Sequence, residues 1–114
     1  MEKINAINAL VALAHETRLD IFRILVRAGR TGMAAGALAR ELDVPASTLS
    51  FHLKELKFSG VVQCRRESRS LIYSANFEVM TSLVDFLSEN CCEDEGLVDC
   101  GQPTGDDIAA GRKT

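Results

Sequence analysis

"DVPASTLSFHLKELKFSG", residues 43–60, decides how the chain folds. Pro45 stands where a helix can begin, because its ring fixes φ and its missing N–H would be an orphan there in any case, and Gly60 marks a stop. Between them Leu49, Leu53 and Leu56 recur at i, i+4 and i+7, a single stripe that must face a core. Opposite stand Ser47, Phe51, Lys54 and Phe58, with Thr48 and Glu55 alongside. Small hydroxyls, an aromatic and a lysine make an outward surface suited to a groove.

The flanking elements follow from periodicity. Ile4, Ile7, Leu10, Val11 and Ala14 give an amphipathic first helix over residues 3–14, whose apolar face needs a partner. "HETRLDIFRILVRAGRTG" (15–32) is a second, central helix carrying Leu19, Phe22, Ile24, Leu25 and Val26 and ending at Gly29 and Gly32. "MAAGALAREL" (33–42) predicts a short third helix with Leu38 and Leu42 at i, i+4. After the fourth helix, "VVQCRRESRSLIYSA" (61–75) places β-branched and aromatic runs on either side of polar "RRESRS", a hairpin with Arg65, Arg66 and Arg69 at its tip. "NFEVMTSLVDFLSEN" (76–90) sets Phe77, Met80, Leu83, Val84 and Leu87 on one face of a fifth helix, capped at its end by Asn90. This order predicts a mainly α fold with a small β-hairpin: a winged helix-turn-helix of five helices plus a wing. Residues 1–90 form the expected DNA-binding and dimerisation domain. Residues 91–114 form an acidic, cysteine-bearing tail, partly mobile, with "GQPTGDDIAAGRKT" too polar to pack.

Composition narrows the function. The chain has 114 residues, 46% hydrophobic and 25% charged, enough for one domain with a tail. No stretch approaches the roughly 20 apolar residues of a membrane span, so no membrane partner is expected. The N-terminus lacks a signal-peptide pattern, which points to the cytoplasm and to reduced thiols. Net charge is −3, against a nonspecific nucleic-acid coat, but residues 45–75 carry five Lys and Arg against two acids while residues 91–114 carry two against six. Positive charge thus gathers where phosphate would be met. No acid, base and nucleophile come together, and His15 and His52 are expected to stand far apart in different helices, so neither an enzyme nor an organic cofactor is expected.

The major groove of B-DNA admits one helix, read from its N-terminal end and outward face. The expected base-edge residues are Ser47, Thr48, Ser50, Phe51 and His52. Lys54, Lys57, Arg65, Arg66 and Arg69 would neutralise phosphates of double-stranded operator DNA, with steep salt dependence. Each residue also has a plainer reading. Ser and Thr near a helix start commonly serve as caps, an Arg on a hairpin tip is commonly solvated, and His52, beside the leucine stripe, reads better as a packing histidine. His15 reads as a capping or surface group, and Cys64 as a small packing residue. A protein-interaction module is the competing class.

"STLSFHLKEL", "SGVV" and "ESRSLIYS" together resemble the ArsR (ArsR/SmtB) family of metal-responsive bacterial repressors, whose recognition helix carries a comparable Ser-Thr-x-Ser-x-His-Leu pattern, here Ser47 to Leu53. The resemblance covers about residues 5 to 90. It implies a homodimer through the first and last helices, with recognition helices about 34 Å apart. Aligned on that pattern, the Cys-Val-Cys of one arsenic-sensing type falls on Ala34, Ala35 and Gly36. The Asp and His of the zinc-sensing type meet only Glu78, Asp85 and Glu89.

What remains is "NCCEDEGLVDC" (90–100), with Cys91, Cys92 and Cys100. Three sulfurs without histidine suit As(III), with Sb(III) as the alternative, since both complete a three-coordinate pyramid; some arsenic-responsive relatives carry an adjacent Cys pair and a third Cys here. Zinc usually wants a fourth ligand. Both neighbours reach one ion only if the backbone bends, and Asn90, Gly96 and Gly101 supply the bends. Closing the loop to Cys100 costs about 1.8 kcal/mol, well below the roughly 10 kcal/mol that structural metal sites reach. Glu93, Asp94, Glu95 and Asp99 would instead attract soft divalent ions such as Cd, Pb or Zn, and a disulfide from Cys100 to either neighbour would make a redox sensor. The expectation is an arsenite-responsive repressor that leaves its operator on binding As(III), with these alternatives open.

Overall fold

The computed structural model describes residues 1–95. The expected class holds: five helices and an antiparallel wing, in the order α1 (Lys3–Leu13), α2 (Glu16–Ala28), a 3-10 turn (Gly29–Thr31), β1 (Met33–Ala34), α3 (Ala35–Leu42), α4 (Ala46–Phe58), β2 (Val62–Glu67), β3 (Ser70–Ala75), α5 (Phe77–Ser88) and a last 3-10 turn (Glu93–Glu95). Met1–Leu83 make one compact unit, and a second begins at Val84, inside α5. Among the described residues no helix is long and apolar enough to cross a membrane.

The leucine stripe of α4 does what its spacing requires. Leu49, Leu53 and Leu56 are buried against Ile21 and Leu25 of α2 and Leu38 of α3, the largest fully enclosed side chains. Each such burial contributes about 1.5–3 kcal/mol. Ile21 belongs to this core although the second helix's periodicity was read from its neighbours. Leu42 is only half-buried, and Leu19 is exposed.

One element differs from expectation. The third helix starts at Ala35, because Met33 and Ala34 pair with Tyr73 and Ile72 as a short strand, giving the sheet order β1-β3-β2. Gly32 makes this approach feasible: its φ is +75°, and a Cβ there would lie 2.4 Å from the Tyr73 carbonyl oxygen. In α1 the face turned inward is alanine, Ala6, Ala9 and Ala12, while Ile4 and Val11 are 60% and 64% exposed and Ile7 and Leu10 are exposed as well. Small residues let α1 lie close on α2 and α4, and the bulky side chains are left over. In α5 only Leu83 is buried, with Val84 and Leu87 exposed.

Candidate nucleic-acid interface and thiol cluster

The turn between α3 and α4 is built by main-chain hydrogen bonds. Asp43 adopts the left-handed conformation (φ 54°, ψ 50°), its N–H donates to the Arg40 carbonyl, and the Val44 N–H donates to the Ala39 carbonyl at 3.1 Å. This pair of bonds is the Schellman closure of a helix, and an Asp tolerates the αL backbone it needs. Pro45 then takes the N-cap position of α4, and no side chain caps that helix.

The consequence bears on the candidate site. Ser47, Thr48 and Ser50 are exposed, and since none of them caps α4 their hydroxyls stay available to a ligand. The first N–H groups of α4 likewise carry no side-chain cap, and the helix dipole there favours an anion. Phe51 is 55% exposed, Phe58 is 92% exposed, and Lys54 and Lys57 point to solvent.

Two members of the expected contact set are placed otherwise. His52 is only 7% exposed; it accepts a hydrogen bond at Nδ1 from Arg18 Nε at 3.1 Å and, against the expectation that the two histidines stand far apart, stacks at 4.6 Å on His15, tilted by 48°. A side chain so enclosed cannot reach a base edge, so the packing reading of His52 replaces the contact reading. Burial first, then the neighbouring His15 and Arg18, holds its pKa below the ordinary imidazole value. His15 is the N-cap of α2, its Nδ1 accepting from the Thr17 N–H at 3.1 Å.

Arg65 lies not at the wing tip but within β2, in register with Ile72. Its guanidinium is engaged within the chain at the surface, donating to the Arg30 carbonyl at 3.2 Å, the Thr31 carbonyl at 2.8 Å and the Glu67 carboxylate at 2.8 Å. The hairpin turns at Ser68 and Arg69, Ser68 with φ 55°. Arg66 and Arg69 are exposed and carry the wing's available charge. Cys64 sits opposite Tyr73, where burial and the thiol raise the tyrosine's pKa.

Sequence reasoning missed Arg18 and Arg30. Arg18 lies over the Phe51 ring, 5.7 Å from its centroid. Arg30 pairs with Glu78 at 3.2 Å and lies 5.2 Å from the Phe77 ring centroid. Glu78's own backbone, then Arg30, holds its carboxyl below the usual range. Both arginines meet partners more than thirty residues away, which no local pattern announces.

In the second unit, α5 ends at Ser88; two residues on, Asn90, expected as the cap, adopts the left-handed backbone at φ 61°, and Cys92 repeats it at φ 62°. The bends bring Cys91 Sγ, an exposed free thiol, to 3.2 Å from Cys92 Sγ. Cys92 is disulfide-bonded. Cys100 lies outside the described residues, as do Gly96, Asp99, Gly101 and the rest of the tail. Among the described residues no three His, Cys, Asp or Glu side chains are arranged to hold a metal ion.

A family profile described as a helix-turn-helix domain matches residues 13–65. The transcriptional activator HlyU of Vibrio cholerae is 30% identical over 88 residues, 77% of this chain and 79% of that protein. A solved HlyU structure from that organism aligns with a TM-score of 0.62 at 32% identity, over 81% of this chain and 99% of that one. An ArsR-like regulator from Rhodococcus sp. RHA1 aligns at 0.70 and 26% identity, over 81% and 84%. The homodimeric winged helix-turn-helix DNA-binding domain of Mb0332 from Mycobacterium bovis aligns at 0.61 and 26%, over 82% and 87%. Fold, exposed α4 face and basic wing define the class as a winged helix-turn-helix transcriptional regulator. The chain belongs to the ArsR family of such regulators.

Proposed function

We propose that this chain is an operator-binding homodimeric repressor released when Cys91, Cys92 and Cys100, as thiolates, bind As(III) or Sb(III). What supports this reading is the approach of the Cys91 thiol to within 3.2 Å of the Cys92 sulfur, beside the left-handed backbone at Asn90 and Cys92; Cys92 is disulfide-bonded in this structure, so the ion would be taken by the reduced form. Sulfurs about 2.3 Å from a common centre and this far apart subtend close to a right angle. That suits a pyramidal, lone-pair-bearing ion better than a tetrahedral one. Bound there, a trivalent arsenical supplies three strong, soft bonds.

The protein's part is conformational. With the three thiolates tied together, the chain following α5 is held against its last turn. The exposed Ile4, Ile7, Leu10 and Val11 of α1 are the surface through which two copies pair, as the homodimeric state of Mb0332 supports. Release needs the ligand to favour one dimer arrangement over the other, so DNA weakens arsenite binding by the factor with which arsenite weakens DNA binding. In a mobility shift titrated with arsenite, cadmium, zinc and peroxide, arsenite releases the wild type. Cys91→Ser, Cys92→Ser and Cys100→Ser bind DNA normally and ignore arsenite. Normal release of these variants removes the tail as sensor.

One observation favours a second reading: Cys92 is disulfide-bonded. In a redox sensor two thiols give two electrons and two protons to peroxide, which leaves as water, and a disulfide replaces the metal as the tie. Release by peroxide without response to arsenite selects this reading.

A further inference from the structure

We propose that Arg18, on α2 and outside the recognition helix, sets the specificity of this regulator by fixing the orientation of Phe51. The inference rests on α4 entering the major groove.

Phe51 stands on the outward face of α4 and is 55% exposed, so core packing does not fix its rotamer. An aromatic ring left free to swing offers a thymine methyl an averaged surface and discriminates poorly. Two neighbours constrain it. The Arg18 guanidinium carbon lies 5.7 Å from the ring centroid, and the buried His52 presents its ring edgewise at 5.6 Å, inclined 63°. The same Arg18 donates from Nε to His52 Nδ1 at 3.1 Å, so one side chain holds both constraints. His52 is held in turn from beyond by His15, 4.6 Å away, which is anchored as the N-cap of α2. The result is a relay from the N-cap of α2 to Phe51, the aromatic in the first two turns of the outward face of α4.

The residue type matters. A guanidinium is planar, so it can lie near an aromatic ring while its Nε–H points at an acceptor, whereas a lysine ammonium is a point charge without that fork. Lysine would therefore keep whatever charge Arg18 offers to phosphate and lose the alignment. This separates positioning from electrostatics.

The test uses the full-length chain and the duplex it enriches from a random-sequence pool, with a scrambled duplex as reference. Affinities for both are measured over a salt series for the wild type, Arg18→Lys, Arg18→Ala, Phe51→Ala and the Arg18→Ala, Phe51→Ala double variant, with folding checked by thermal melts. Arg18→Lys is expected to lose roughly tenfold in the ratio of enriched to scrambled affinity, with its salt slope and scrambled affinity unchanged. The double variant loses no more than Phe51→Ala alone. A wild-type ratio in Arg18→Lys, or an equal loss on both duplexes, overturns the proposal. If the wild type enriches no duplex, the groove reading of α4 is wrong before any variant is made, and this inference falls with it.

Discussion

Arg65 of the wing donates to the Thr31 carbonyl oxygen at 2.8 Å, joining two segments 34 residues apart. A residue expected to greet phosphate therefore braces β2 against the turn that precedes β1. Because the contact is partly exposed, its loss costs modestly. Arg65→Ala should lower stability by about 1 kcal/mol, read as a shift in denaturant midpoint, while Arg66→Glu with Arg69→Glu should leave stability unchanged and abolish duplex binding. Unimpaired binding by that double variant shifts the case toward a protein-interaction module.

His52 predicts a pH dependence. Its pKa is held below the ordinary value in the fold, by burial first and then by His15 and Arg18. The unfolded chain, with an imidazole near 6.5, therefore takes up the proton more readily. This group's contribution is complete above about pH 6.5 and is lost as pH falls through the lower folded value. Protonation also removes the Nδ1 acceptor used by Arg18. His52→Gln should flatten the fall in melting temperature between neutral and mildly acidic buffer, and an unchanged slope would count against this account.

Gly32 admits no side chain. With φ +75° and a would-be Cβ 2.4 Å from the Tyr73 carbonyl oxygen, Gly32→Ala forces β1 off β3 and should cost about 1–3 kcal/mol from backbone strain alone. Amide exchange at Met33 and Ala34 checks it: exchange as slow as in the parent would show that the strand pairs despite the methyl group.

The outward face of α1 should be dispensable to the protomer's own core and necessary for pairing. Ile4→Asp with Val11→Asp alters two side chains that are mostly in water. Sedimentation checks the proposed pairing: the parent is expected to sediment as dimers and the variant as monomers, with helical content kept. Dimers of undiminished stability would place the interface elsewhere.

The parts legible in the sequence are those governed by local periodicity. The Leu49, Leu53 and Leu56 stripe, the Pro45 start, the left-handed Asn90 and the wing with its polar turn all follow from spacing and backbone chemistry. Where distant contacts decide, sequence reading went astray. A two-residue strand such as Met33–Ala34 has no period to detect, and its existence depends on the edge offered by β3. Arg65 looks like any wing arginine until Thr31 is brought beside it. In α1 the apolar face that calls for a partner is left on the outside of the protomer, because alanines make the close approach to α2 and α4. Of the bends expected at Asn90, Gly96 and Gly101, the structure shows the one at Asn90 and adds one at Cys92; Gly96, Gly101 and Cys100 lie outside the described residues.

An eleven-residue helix that turns its alanines inward and its branched aliphatics outward makes copy number a variable of control. A protomer with that greasy ridge uncovered has reason to find its twin soon after synthesis. Occupancy of a two-fold symmetric target should then rise with the square of protomer concentration while pairing is incomplete. On the proposed pairing, modest changes in expression would thus sharpen or blunt occupancy of the target by themselves.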